Sequence, residues 1–151
     1  MEAKDGITVS KMTKSDVPFV AALEKECFSS PWSEKSLLES LENVGSVFLC
    51  AKAGEEIVGY IGASVVLDEA YVSDLAVSRI ARRRGVGSAL LLECENLCRG
   101  IDCSFLSLEV RKSNEAAIAL YLKAGFAAVG ERKNFYSSPR ENAVIMTKFF
   151  K

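Results

Sequence analysis

Three strand-like segments follow one another with almost no chain between them. Val47–Ala53, Ile57–Leu67 and Ala70–Val77 are dense in apolar and β-branched residues, and only Gly54-Glu55-Glu56 and Asp68-Glu69 separate them. Parallel pairing needs a crossover of a dozen or more residues, whereas connections this short close hairpins. The reading is three consecutive antiparallel strands, and any fold open to this chain must contain them.

Other elements are expected on both sides of that unit. Ile7–Met12 alternates apolar and polar residues and predicts a first strand. Ser15 is placed to cap a helix that carries Pro18 in its first turn and runs to about Cys27, where Ser29-Ser30-Pro31-Trp32 breaks it. A second helix is expected from Ser33, with Leu37, Leu38 and Leu41 on its buried side. Beyond Ala81 the pattern changes. Ser88–Arg99 carries Leu90, Leu91, Cys94, Leu97 and Cys98 at helical spacing, and Gly100 ends it. Phe105–Val110 reads as a buried strand, and Ser113 as the cap of a helix over Glu115–Lys123 that Gly125 stops. Phe126–Gly130 and Ala143–Phe150 are the last two strands. The order βααβββαβαββ describes an α/β (α+β) mixed sheet with helices on both faces, and 151 residues predict one domain over 1–151.

Composition narrows the chemistry. The chain has no histidine, which removes Ser-His-Asp and Cys-His catalysis and every His-ligated metal site. Proton transfer falls to carboxylates, Tyr, Lys, Cys or water. No metal site is expected, since the five cysteines form no CxxC pair. Cys94 and Cys98, four apart on an apolar stripe, read as buried thiols, and reduced thiols suit a cytoplasmic protein. Nineteen Lys+Arg against twenty Asp+Glu give a net charge of −1, unlike a nucleic-acid coat protein. Met1–Asp5 has no apolar leader, and no apolar run approaches the roughly 18–20 residues that span a bilayer.

Two constellations could carry chemistry. Gly85 and Gly87 follow Arg82-Arg83-Arg84 and precede a helix, whose free N–H groups and positive end suit a pyrophosphate. A plain structural turn fits the same residues. No Gly-Lys-Ser/Thr follows, and Leu90 stands where a dinucleotide fingerprint wants a third glycine. In the second constellation, Glu109 lies on a strand between Leu108 and Val110, and Tyr121 lies near the end of the next helix. A carboxylate and a phenol on one cleft serve as base and acid. A surface Glu and a core-rim Tyr fit the spacing equally.

The stretch from Tyr71 to Phe150 resembles the GNAT family of acetyl-CoA-dependent N-acetyltransferases. Arg82-Arg83-Arg84-Gly85-Val86-Gly87 is similar to its pyrophosphate loop, and Asn114, Ala116-Ala117 and Leu120-Tyr121 through Gly125-Phe126 to its other conserved segment. Pro31-Trp32-Ser33-Glu34, Val66–Ala70, Leu108–Arg111 and Arg132–Tyr136 extend the likeness to the bacterial type that acetylates the N-terminal alanine of a small-subunit ribosomal protein. The resemblance implies that the backbone of Leu75, Ala76 and Val77 binds the pantetheine arm of acetyl-CoA. It places the pyrophosphate on the amides of Arg83, Arg84, Gly85, Val86, Gly87 and Ser88, with Asn114 touching the coenzyme further along. It makes Glu109 the general base and Tyr121 the acid, in a direct attack within a ternary complex. The peptide is expected around Trp32 and Asn134-Phe135-Tyr136, with Asp68 and Glu69 attracting basic residues that follow its first. Acetylation of lysine or a small amine, or a non-catalytic acyl-CoA-binding module, are the alternatives; no nucleic acid or membrane partner is expected.

Overall fold

The computed structural model describes residues 6–151, so the reading of Met1–Asp5 lies outside the described residues. β1 (Ile7–Lys11) lies antiparallel to β2 (Ser46–Ala53), which continues through β3 (Glu56–Val66) to β4 (Glu69–Val77) by antiparallel pairing. The short turns thus make the expected three-stranded unit. α1 (Val17–Cys27) and α2 (Glu34–Glu42) connect β1 to β2. α3 (Val86–Gly100) leads from β4 to β5 (Phe105–Arg111), and α4 (Glu115–Lys123) leads on to the hairpin of β6 (Ala127–Ser137) and β7 (Arg140–Phe149). The seven strands lie in the order β1-β2-β3-β4-β5-β7-β6, and only β4 and β5 pair in parallel.

Strand alternation splits the core in two. In β2, Leu49 and Ala51 point toward α3, where they join Ile61, Leu90, Cys94, Leu106, Leu108 and Met146. Phe48 and Cys50 point the other way, joining Val20, Leu23, Leu37 and Tyr60 beneath α1 and α2. Fully burying an aliphatic or aromatic side chain is worth about 1.5–3 kcal/mol, so each layer fixes its helices firmly. No described helix is long and apolar enough to cross a membrane.

Three local expectations are corrected. The chain enters α1 through a 3-10 turn over Lys14–Asp16 with Thr13 at its start, not through a Ser15 cap; Asp16 accepts the Thr13 N–H at 2.9 Å. The α4 cap is Asn114 rather than Ser113: its Oδ1 accepts the Ala117 N–H at 3.1 Å. β6 runs seven residues past Gly130, and as an edge strand exposed on both faces it carries no apolar alternation to show its length. Charged residues such as Glu131, Arg132 and Lys133 protect such an edge and hide it from an apolar pattern.

Candidate active site

β4 and β5 pair at only three positions, Glu69–Phe105, Ala70–Leu106 and Tyr71–Ser107. The strands part beyond Tyr71. A bulge lies at the parting point: Ala63 faces Val72 while its neighbour Gly62 faces Asp74, which leaves Ser73 as an extra residue in β4. The Ser73 hydroxyl donates to the Gly62 carbonyl at 3.0 Å. One extra residue moves every later side chain to the opposite face. Accordingly Leu75 and Val77 join the α3 layer, and Ala76 joins the layer beneath α1.

A cleft of about 760 Å³ occupies the gap. Four of the predicted residues line it: Leu75, Glu109, Asn114 and Tyr121. Glu109 reaches it because Leu108 and Val110 claim the opposite face of β5 for the core. Its Oε2 lies 3.2 Å from Nε of Arg132. Tyr121 comes from the last turn of α4, packed with its ring centroid 5.8 Å from that of Phe126. Burial pushes its phenol up, and Tyr136 and Asp74 add to the shift. At neutral pH it therefore keeps its proton. The expected peptide contacts divide. Trp32, Phe135 and Tyr136 line the cleft, whereas Asn134 does not, and Asp68 and Glu69 sit at the far end of β4.

The remaining predicted residues lie outside that lining. Arg83, Arg84, Gly85, Val86, Gly87 and Ser88 form the entry to α3. Gly85 holds the helix N-cap position at φ +79°, a left-handed conformation that favours glycine, and no side chain caps this end. The helix start sits close to the end of β4. A Cβ at Gly59 of β3 would lie 2.9 Å from Val86 Cγ1 and 3.0 Å from the Ala76 carbonyl oxygen. An uncapped helix start flanked by three arginines fits a pyrophosphate. Ala76 is buried, and the Val77 carbonyl is already engaged, accepting from Arg82 Nε at 3.1 Å and Cys27 Sγ at 3.5 Å. No cluster of three or more metal-ligating side chains occurs among the described residues.

Sequence reasoning missed three residues beside the cleft. Glu24 is fully buried; its Oε1 accepts the Trp32 N–H at 2.9 Å and its Oε2 accepts the Tyr60 hydroxyl at 2.5 Å. The Tyr60 oxygen lies 3.4 Å from Asp74 Oδ2, and Asp74 lines the cleft. Burial, and then the Glu24 carboxyl, push Asp74 up to about 8. One signal was present: Glu24 falls on the apolar stripe of α1, seven residues from Val17 and four from Val20.

Known proteins repeat this architecture. The family model described as Acetyltransferase (GNAT) family matches residues 17–126. The ribosomal protein bS18-alanine N-acetyltransferase of Salmonella typhimurium is 38% identical over 145 residues, covering 92% of this chain and 95% of that protein. The crystal structure of the ribosomal-protein-S18-alanine N-acetyltransferase from Escherichia coli superimposes with a TM-score of 0.88 at 32% identity, covering 96% of this chain and 94% of that one. That of Ard1 from Thermoplasma volcanium gives 0.87 at 28%, covering 95% and 97%. A match over most of the chain, on a sheet that parts between β4 and β5, leads to one conclusion: the chain belongs to the GNAT family of acetyltransferases.

Proposed function

We propose that the chain, as one domain over 1–151, moves an acetyl group from acetyl-CoA to the α-amine of an N-terminal alanine, that of a small-subunit ribosomal protein. One observation carries the reading: a carboxylate, Glu109, and a protonated phenol, Tyr121, line a single cleft where β4 leaves β5. The likeness to alanine N-acetyltransferases over more than nine tenths of the chain supports the choice of substrate.

In this reading the α3 entry from Arg83 to Ser88 receives the pyrophosphate, and the parted edge of β4 at Leu75, Ala76 and Val77 runs beside the pantetheine arm. Asn114, which lines the cleft as the α4 cap, stands near the same path. Glu109 accepts the proton of the attacking amine, directly or through water. Tyr121 gives its proton to the departing sulfur, whose thiol has a pKa of about 8.5 by analogy with cysteine. Carboxylate chemistry is adequate here without histidine. An α-amine with a pKa of about 7.7–8.0 costs about 1–1.4 kcal/mol to deprotonate at pH 7, whereas lysine costs about 4.6. Coenzyme A release against peptides differing only in the first residue tests the reading. N-terminal alanine should be preferred, and faster release with free lysine side chains or small amines would replace it.

A further inference from the structure

Glu24, Tyr60 and Asp74 form a continuous polar path from the buried layer beneath α1 to the cleft, and the chemistry above uses none of them. Glu24 is removed from water entirely and Asp74 in part, which is costly unless a cation or a retained proton compensates them. No Lys or Arg of the described residues pairs with either carboxyl. The groups around Asp74 are Glu24 from α1, Tyr60 from β3, Tyr121 from α4 and Tyr136 from β6, with Glu109 of β5 on the same cleft. The cations nearby are engaged elsewhere. Arg132 pairs with Glu109, and Arg111 binds Glu141 and the Pro139 carbonyl while its guanidinium lies 4.4 Å from the Tyr136 ring centroid.

The position of Asp74 depends on the Ser73 bulge. Regular alternation from Val72 would send the side chain at 74 into the apolar layer beneath α3; the extra residue sends it to the face that bears Tyr60 and Glu24. A carboxyl has thus been aimed at an open cleft, with acidic or neutral groups around it and hydrogen-bonded support behind it.

We propose that Asp74, held by Tyr60 and Glu24, is the specificity-determining residue that receives the substrate's terminal ammonium group and presents it to Glu109. This rests on the amine-acetylating reading above. The proton affinities match: Asp74 is pushed up to about 8, and an α-ammonium group releases its proton at about 7.7–8.0. Arrival of the cation draws Asp74 into its charged form, and its proton leaves to solvent through the cleft. A neutral N-terminus gains nothing from the contact.

Two peptides of one sequence, with a free or an acetylated N-terminal alanine, are titrated calorimetrically into the coenzyme A complex of the wild type and of Asp74→Asn. The wild type should bind the free-amine peptide at least tenfold more tightly, and Asp74→Asn should lose that preference while keeping its affinity for the acetylated peptide. A purely structural role would weaken both peptides alike. Where Asp74→Asn does not fold, the wild-type pH profile decides: KM for the free-amine peptide should fall as pH rises from 6 toward about 8, and a flat profile overturns the assignment. An unchanged preference in Asp74→Asn, with wild-type turnover intact, overturns the role of Asp74 alone. No wild-type turnover on any free N-terminus overturns the underlying reading, and the assignment falls with it.

Discussion

The hydroxyl of Ser29 donates to the carbonyl of Ser138 at 2.7 Å, joining two loops that lie 109 residues apart in the chain. Ser29 belongs to the α1–α2 connection and Ser138 to the β6–β7 turn, and both residues line the cleft. Arg111 reinforces the second loop, donating to the carbonyls of Ser138 and Pro139. The cleft is therefore bridged between these two loops, and the proposed reading brings the peptide in on this side. A hydrogen bond of this kind contributes about 0.5–1.5 kcal/mol net, so Ser29→Ala should raise KM for peptide roughly twofold to tenfold. Steady-state kinetics at saturating acetyl-CoA measures it; an unchanged KM would show that the bridge does not shape the peptide path.

Glu109→Gln should slow the chemical step about 10²–10⁴-fold at pH 7, with coenzyme binding retained. Raising the pH should recover part of the loss, because more of the amine then arrives neutral. Single-turnover rates across pH check both statements, and a rate equal to that of the wild type removes Glu109 from the mechanism.

Tyr121→Phe keeps the ring that packs on Phe126 but removes a hydroxyl whose pKa burial holds above its ordinary value. Turnover should fall while Tm stays within a few degrees. A loss of Tm equal to that of a core truncation, with turnover preserved, would make the residue structural.

Gly87→Gln should weaken coenzyme binding at least tenfold, about 1.4 kcal/mol, by placing a side chain at the uncapped start of α3. Isothermal titration on a variant with native circular dichroism tests this, and unchanged affinity would leave the loop a plain turn.

Stability should carry the mark of Asp74. Its folded pKa, about 8, lies above the unfolded value of about 3.9, so the native state holds a proton that the unfolded chain has lost. Stability from this group is fully present below pH 4 and declines as pH rises toward 8, at no more than about 1.4 kcal/mol per pH unit. Asp74→Asn should flatten that limb. Urea unfolding at several pH values between 4 and 8 measures it; identical slopes in both proteins would contradict the shifted pKa.

The strands and helices were legible because short turns and apolar periods are local properties. Glu109 and Tyr121 could be named from sequence, but their meeting in one cleft depends on β4 leaving β5 after Tyr71, which no spacing reveals. Asp74 was hidden by the Ser73 bulge, since alternation counted from Val72 assigns it to the wrong face. Glu24 and Tyr60 are 36 residues apart, and only the pairing of β3 beneath α1 brings the acid to the phenol. At Asn114 local chemistry could be read two ways: two adjacent polar residues, Ser113 and Asn114, can each cap a helix, and the chain uses the second.

The most direct test joins donor, acceptor and position in one measurement. The protein is incubated with acetyl-CoA and a peptide bearing a free N-terminal alanine, followed by basic residues that include lysine, and the product is fragmented in a mass spectrometer. One acetyl group per peptide is expected, on the α-amine of the alanine. Acetyl groups found chiefly on lysine, or no product with any free N-terminus, would contradict it.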